Sequence, residues 1–273
     1  MKILDRAAVL ILNLSLLVVF IITPALITAG NHDYYKAQFE KNGIYSRTDE
    51  NGIERKRTVF YIGGDYQNTA QFENEQLDEL SKHIIDYLFG DKESFSLTMD
   101  GVLLNGTYQD GVNIFGDTAV SHMKDVKVLM RAALIAAIIC AVLLAIALTY
   151  IIARRKFTAR FLLKYTLIFY GVIVCLILLF LLITLIDGWS ILRRYPDAFT
   201  DILWENVHHI LFPFQPEKFE NSFFNDTLTQ ILTLELFLDA MIIVFTTLLT
   251  AFCAWLAAAF AIRKSERNAS KNN

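Results

Sequence analysis

The chain has 273 residues, 55% of them hydrophobic, and a net charge of −3, whereas soluble globular domains run at roughly 45–50% apolar. Residues 30–126 carry more Asp and Glu than Lys and Arg, which leaves no basic stripe for nucleic acid. All three cysteines, Cys140, Cys175 and Cys253, lie inside apolar runs. They therefore build no disulfide framework, offer no activated thiol beside a histidine, and are expected to be small packing residues.

The apolar excess is concentrated in four runs, residues 7–29, 128–153, 161–186 and 240–262. A helix of about 20 residues crosses the ~30 Å hydrocarbon core, and in lipid only a helix or a closed barrel satisfies its own backbone. The fold class expected is a polytopic α-helical membrane protein, with four transmembrane helices and a small extracytoplasmic α+β cap. The first run exceeds the 7–15 residues typical of a signal-peptide core. Its end, Ile27-Thr28-Ala29-Gly30, makes a poor cleavage site, so the run is expected to stay as an anchor.

Short flanks set the expected orientation. Lys2 and Arg6 precede the first run; Arg154, Arg155, Lys156, Arg160 and Lys164 lie around the middle loop; Arg263, Lys264, Arg267 and Lys271 follow the last. The positive-inside rule places these flanks in the cytoplasm. The expected organisation is then 1–29 N-terminus and first helix, 30–126 extracytoplasmic, 127–153 second helix, 154–160 cytoplasmic loop, 161–187 third helix, 188–238 an interfacial outer loop, 239–262 fourth helix and 263–273 cytoplasmic tail.

Within the first outer segment, Thr58-Val59-Phe60-Tyr61-Ile62 before Gly63-Gly64 reads as a strand. Phe72, Leu77, Leu80, Ile84, Tyr87 and Leu88 recur at helical spacing. The spacing predicts a helix capped by Asn68 or Thr69 and ended by Gly90. Segments 95–104 and 106–114 predict a hairpin across Asn105-Gly106. The second outer segment is aromatic, with Trp189, Phe199, Trp204, Phe212, Phe214, Phe219, Phe223 and Phe224, as in chains that lie in the headgroup interface. Pro213 and Pro216 break any helix after Phe212, and residues 226–239 form an amphipathic stretch leading to the fourth run.

Two histidine-bearing stretches carry the candidate chemistry. His122 and Asp125 follow Ser121 or Asp117, either of which is a potential helix cap. Three residues apart, they share a helix face, where a carboxylate fixes the imidazole tautomer and raises its basicity. The plainer reading makes His122 a solvated interfacial residue and Asp125 a first-turn carboxylate favoured by the helix dipole. His208 and His209 stand in Trp204-Glu-Asn-Val-His-His-Ile-Leu-Phe212, and on their own read as half-buried polar residues. Arg131 either binds a lipid phosphate or ester oxygen or snorkels to the surface. Glu235 and Asp239 are either partners for a histidine or interface markers. His32 and His83 lie in polar context and are expected at the surface. The histidine spacing fits no metal-ligand motif, no G-x-S-x-G elbow occurs, and no cofactor is implied.

Phe115-x6-His122-Met123-x-Asp125-Val126, entering the second of four spans, resembles the lipoprotein intramolecular transacylase family. His208-x-Ile210-x-Phe212, followed by Phe219 and Asp226-x-Leu228, is similar to the family's second block, and Ile85-Asp86-Tyr87-Leu88-Phe89-Gly90 to an earlier one. The resemblance covers residues 1–262. Departures are Val207 where an aromatic is common, Phe219 where Trp is usual, no Pro at the start of the last span, and an insertion at 46–64; they bear on substrate preference more than on chemistry.

The resemblance implies an acyl shift within a diacylated bacterial lipoprotein held in membrane lipid. The sn-2 chain moves from the glyceryl oxygen to the α-amino group of the N-terminal cysteine, leaving a lyso-form lipoprotein. Amine and ester belong to one molecule, so positioning supplies much of the rate. An amine of pKa about 8 must lose a proton, which a histidine of pKa about 6.5 accepts. His122, His208 and Asp125 are expected to be catalytic, with the two imidazoles exchangeable in role; His209, Phe212 and Arg131 are expected to contact substrate. The competing expectations are an acyltransferase with a separate phospholipid donor and a non-enzymatic sensor or assembly protein. A transporter is disfavoured, because the spans lack paired charges or broken repeats.

Overall fold

A computed structural model describes residues 3–45, 59–154, 159–195, 199–212 and 226–269. Pro213, Pro216, Phe214, Phe219, Phe223, Phe224, the middle-loop residues Arg155 and Lys156, and the inserted 46–58 lie outside the described residues. In chain order the described helices are α1 (Ile3–Ala29), α2 (His32–Lys41), α3 (Asn74–Phe89), α4 (Asp117–Arg154), α5 (Ala159–Asp187), α6 (Trp189–Leu192), α7 (Phe199–Leu211), α8 (Thr227–Ile231) and α9 (Leu234–Ala269). Six strands fall between α2 and α4: β1 (Phe60–Ile62), β2 (Asp65–Gln71), β3 (Thr98–Met99), β4 (Val102–Leu104), β5 (Thr107–Gln109) and β6 (Val112–Asn113). Helices α1, α4, α5 and α9 are each long and apolar enough to cross a membrane. The chain is thus a four-span helical membrane protein with a small sheet-containing part. It divides into a helical unit of residues 1–24, 134–213 and 243–273, and a mixed unit of residues 25–133 and 214–242.

In the helical unit, large apolar side chains face outward: Ile139, Leu178 and Ile183 are each more than half exposed. The inward positions include small or polar residues, among them Ser15, Asn13, Thr166 and Thr184, beside apolar ones such as Val9 and Leu12. Polar groups inside a bundle bond across it or to their own backbone. Trp255 donates its indole N–H to Thr166 Oγ1 at 3.2 Å, and Tyr150 donates its hydroxyl to Asp5 at 3.0 Å. Asn13 donates to the Val9 carbonyl one turn back.

The mixed unit is built around aromatic side chains. Phe39, Phe60, Phe95 and Phe115 are at most 1% exposed, and Phe95 stacks on Phe115 with ring centres 4.5 Å apart. The main sheet has the order β1-β2-β4-β5. Asn105 and Gly106 both have positive φ, 51° and 80°, which matches the right-handed twist of a two-residue hairpin turn and pairs Leu104 with Thr107. The hairpin resumes as β3 with β6 beyond two facing Asp-Gly pairs, in which Asp100 accepts from the Gly111 N–H and Asp110 from the Gly101 N–H, each at 2.8 Å.

The structure revises the start of α3. Asn68 and Thr69 do not cap it; they lie in β2, which pairs with β1 on one side and β4 on the other. Ala70 and Phe72 point inward while Thr69 and Gln71 are half-buried, a period of two that the sequence shows only for a few residues. The helix begins after Glu73, whose N–H is accepted by Gln76 Oε1 at 2.9 Å. Gly90 ends it, donating its N–H to the Asp86 carbonyl at 2.9 Å, where a Cβ would lie 2.5 Å from that oxygen.

The stretch leading into the fourth span also belongs to this core. Leu228 and Ile231 of α8 and Leu236 of α9 are buried in it. Helix α8 covers the open edge of β1: Gln230 Oε1 accepts from the Tyr61 N–H at 2.7 Å, and Thr227 Oγ1 donates to the Tyr61 carbonyl at 2.9 Å. An uncovered edge would invite pairing with another chain. Helix α2 is fastened to the start of α9, with Gln38 Nε2 donating to Asp239 Oδ2 at 2.8 Å and Lys41 paired to the same carboxylate. Asp239 is therefore partner to a lysine and a glutamine of α2, rather than to a histidine.

Candidate active site

The first candidate stretch opens α4. The helix starts from Gly116, whose carbonyl accepts from the Val120 N–H at 3.0 Å, so Ser121 is already inside it and does not cap it. Asp117 is its first residue. The helix buries Ala119, His122, Met123 and Lys127, which recur at three- and four-residue spacing and form one stripe. His122 is only 6% exposed. The solvated interfacial histidine of the plainer reading is not what the fold contains. Asp125 is half-buried and Arg131 exposed.

Tyr87 of α3 faces this part of α4. Lys127 Nζ stands 4.4 Å from the centre of its ring and donates to the Lys92 carbonyl at 2.6 Å. Burial pushes the Tyr87 phenol up, with Arg131 pulling it down and Asp125 pushing it up. Asp125 and Arg131 thus act electrostatically on one phenol, a grouping that sequence spacing alone does not reveal.

The second stretch lies on α7. Ile202 packs on Gly188, where a Cβ would come within 2.8 Å of its Cδ1, and Asn206 donates to Thr184 Oγ1 at 3.4 Å. These contacts fix α7 against the end of α5. On the neighbouring stripe, His208 and Phe212 stand with rings 6.0 Å apart. His209 is exposed and lies 3.7 Å from Glu205, four residues earlier. The structure thus gathers His122, Asp125 and Arg131 on one helix of the mixed unit, and His208, His209 and Phe212 at the end of one helix of the helical unit.

His83 corrects the sequence expectation. It is 4% exposed, donates Nε2–H to the Phe95 carbonyl at 2.8 Å, and accepts from Lys92 at Nδ1 at 3.1 Å. Burial, assisted by the Lys92 charge, holds its pKa below the ordinary histidine value and keeps it neutral. His32 is half-buried, with Nδ1 2.9 Å from Ser81 Oγ. Neither is a surface histidine. Among the described residues no three His, Cys, Asp or Glu side chains are placed to hold a metal ion.

One buried acid lay unremarked in the sequence as chemistry. Asp226, 1% exposed, accepts from the Gly116 N–H at 2.8 Å and from the Leu228 N–H at 2.9 Å. Desolvation raises its pKa to about 6, with those two bonds opposing the shift. The available signal was the Asp226-x-Leu228 motif.

Fold and residues together define a multi-pass membrane protein whose second spanning helix carries a buried histidine and a carboxylate at its N-terminal end. A model of the family described as lipoprotein intramolecular transacylase Lit matches residues 10–237. The chain belongs to that family, and is accordingly an acyltransferase acting on lipoproteins. Among solved structures, the membrane integral lipoprotein intramolecular transacylase Lit from Bacillus cereus is similar over 97% of this chain and 98% of that one, with a TM-score of 0.58 and 13% identity. At that identity the likeness concerns the fold. No curated protein sequence matches the chain.

Proposed function

We propose that this enzyme moves the sn-2 acyl chain of a diacylglyceryl-cysteine lipoprotein to the cysteine α-amino group at the extracytoplasmic face of a bacterial cell membrane, using His122 and His208 as general acid and base. Both chain termini and the middle loop lie in the cytoplasm, in line with the basic flanks. The observation that carries the reading is the buried imidazole of His122 in the second turn of a membrane-spanning helix, in a chain of the transacylase family.

One imidazole takes a proton from the amine as its nitrogen attacks the ester carbonyl. The new N–C bond forms, the bond between the acyl carbonyl carbon and the sn-2 oxygen breaks, and the other imidazole protonates the departing glyceryl alkoxide. The transfer consumes no water and needs no acyl-enzyme. Asp125 holds the His122 ring from the same helix face, while His209, Phe212 and Arg131 contact substrate.

Purified enzyme and a diacylated lipopeptide test this, with product fragments located by mass spectrometry. His122→Ala and His208→Ala should each lose roughly 10²–10⁴-fold in rate, the usual contribution of a general acid or base. Full activity in either variant removes that histidine from the mechanism. Labelled phospholipid added to the reaction should leave the product unlabelled; label in the product would mean a separate donor.

A further inference from the structure

The helix that carries His122 begins at a junction of three chain segments. Asp226 accepts at Oδ2 from the Gly116 N–H at 2.8 Å, and at Oδ1 from the Leu228 N–H at 2.9 Å, capping its own helix α8. Gly116 has no room for a side chain, because a Cβ would sit 2.8 Å from the Gly63 carbonyl and 3.1 Å from Asp226 Oδ2. Asp226 is itself held in place, since the α8 residues that follow it, Thr227 and Gln230, bond to the backbone of β1 at Tyr61. The position of the carboxylate is set by the sheet, and it sets where α4 begins.

We infer that Asp226 is a positioning residue for the acyl transfer, fixing the start of α4 and, six residues on, the place of the His122 imidazole. The inference rests on the catalytic reading of His122 given above. An uncharged acceptor could not do the same work: an asparagine offers one lone-pair oxygen, and its amide nitrogen would face an N–H. The carboxylate serves two amides while buried, and the desolvation raises its pKa to about 6. Positioning is a sensitive quantity here, because a displacement of about 1 Å away from the reacting atoms costs on the order of 10²-fold in rate.

The test uses the full-length enzyme in nanodiscs with the diacylated lipopeptide, comparing Asp226→Asn, Gly116→Ala and His122→Ala with the parent for kcat, KM and melting temperature. Asp226→Asn and Gly116→Ala should each lose roughly 10–100-fold in kcat, with KM and the folded fraction unchanged. A purely architectural carboxylate would instead lower melting temperature and leave kcat per folded molecule intact, which overturns the proposal. So would parental kcat in Asp226→Asn, a loss confined to KM, or failure of both variants to fold. A His122→Ala variant with full activity would fail the catalytic reading itself. An inactive His122→Ala beside a fully active Asp226→Asn would fail this inference alone.

Discussion

The two units of the molecule differ in where most of their bulky side chains lie and in how much polar surface they bury. In the helical unit bulky side chains such as Leu178 and Ile183 are outside, 59% and 56% exposed, and the polar Asn13, Thr166 and Thr184 are inside at 0% together with Val9 and Leu12. In the mixed unit the bulky side chains are inside, Phe39 and Phe95 at 0% and Phe60 and Phe115 at 1%. Solvent accounts for the inversion. Lipid tails are as apolar as leucine, so burying leucine between helices gains little there. Water makes burial of a phenylalanine worth roughly 1.5–3 kcal/mol. The candidate residues follow the same division. His122 lies in the stripe that α4 buries, and needs the aromatic core to be intact; His208 rides on α7, which meets the end of α5 through Ile202 on Gly188 and a hydrogen bond from Asn206.

Truncation of apolar side chains is the strongest way to break this contrast. Phe95→Ala removes a ring that contacts His83, Tyr87 and Phe115 and should destabilise the protein by about 3–5 kcal/mol. Leu178→Ala, cut back to a similar degree on the lipid side, should change stability by less than about 0.5 kcal/mol. Unfolding followed by tryptophan fluorescence in mild detergent checks both. Equal losses would mean that Leu178 is covered by protein and that the inside-out description of the helical unit is wrong.

The pH dependence of stability sharpens the contrast, because two buried groups of the mixed unit, His83 and Asp226, act in opposite directions. His83 has its folded pKa held below the ordinary value, so the unfolded chain binds the proton more tightly. Its contribution is whole above pH ~6.5 and is lost as pH falls through the folded pKa. Asp226 has a folded pKa of about 6 against an ordinary 3.8, so the native state holds the proton more tightly. Its contribution is whole below pH 3.8 and is lost as pH rises through about 6, a change of about 3 kcal/mol at 1.36 kcal/mol per unit. Melting curves between pH 4 and 8 should show Asp226→Asn gaining on the parent as pH rises, and His83→Gln gaining as pH falls. Parallel curves for parent and both variants would place these groups in solvent-like surroundings.

Legibility in the sequence tracks how local the determining interactions are. The four spans were readable because an uninterrupted apolar run of ~20 residues has one stable form in lipid, and the hairpin was readable because Asn105-Gly106 suits two positive φ values. Strand β2 was not, since its neighbours β1 and β4 supply its hydrogen bonds and Asn68-Thr69 mimics a cap. The burial of His83 was available in principle: Leu80, Ile84 and Tyr87 already mark the inward face of α3, and position 83 lies on it. The same argument from Ala119 and Met123 turns His122 inward. The bond from Gly116 to Asp226 joins residues 110 apart in sequence and leaves no periodic trace, so the amphipathic stretch 226–239 showed an apolar face but not the core it packs on.

The smallest expected effect tests the polar interior of the helical unit. Thr166→Val keeps the shape of a fully buried side chain and removes the oxygen that accepts the Trp255 N–H at 3.2 Å. In water-soluble cores a stranded buried donor costs about 1–3 kcal/mol. Interhelical hydrogen bonds in membranes average only ~0.6 kcal/mol, since a helix separated within the bilayer finds other partners. Thr166→Val should therefore cost about 0.6 kcal/mol in reversible unfolding from a bilayer, several-fold less than Phe95→Ala. A loss approaching the Phe95→Ala value would mean that this bond, rather than close helix packing, holds α5 and α9 together, and the two units would then differ in where their apolar groups lie but not in what binds them.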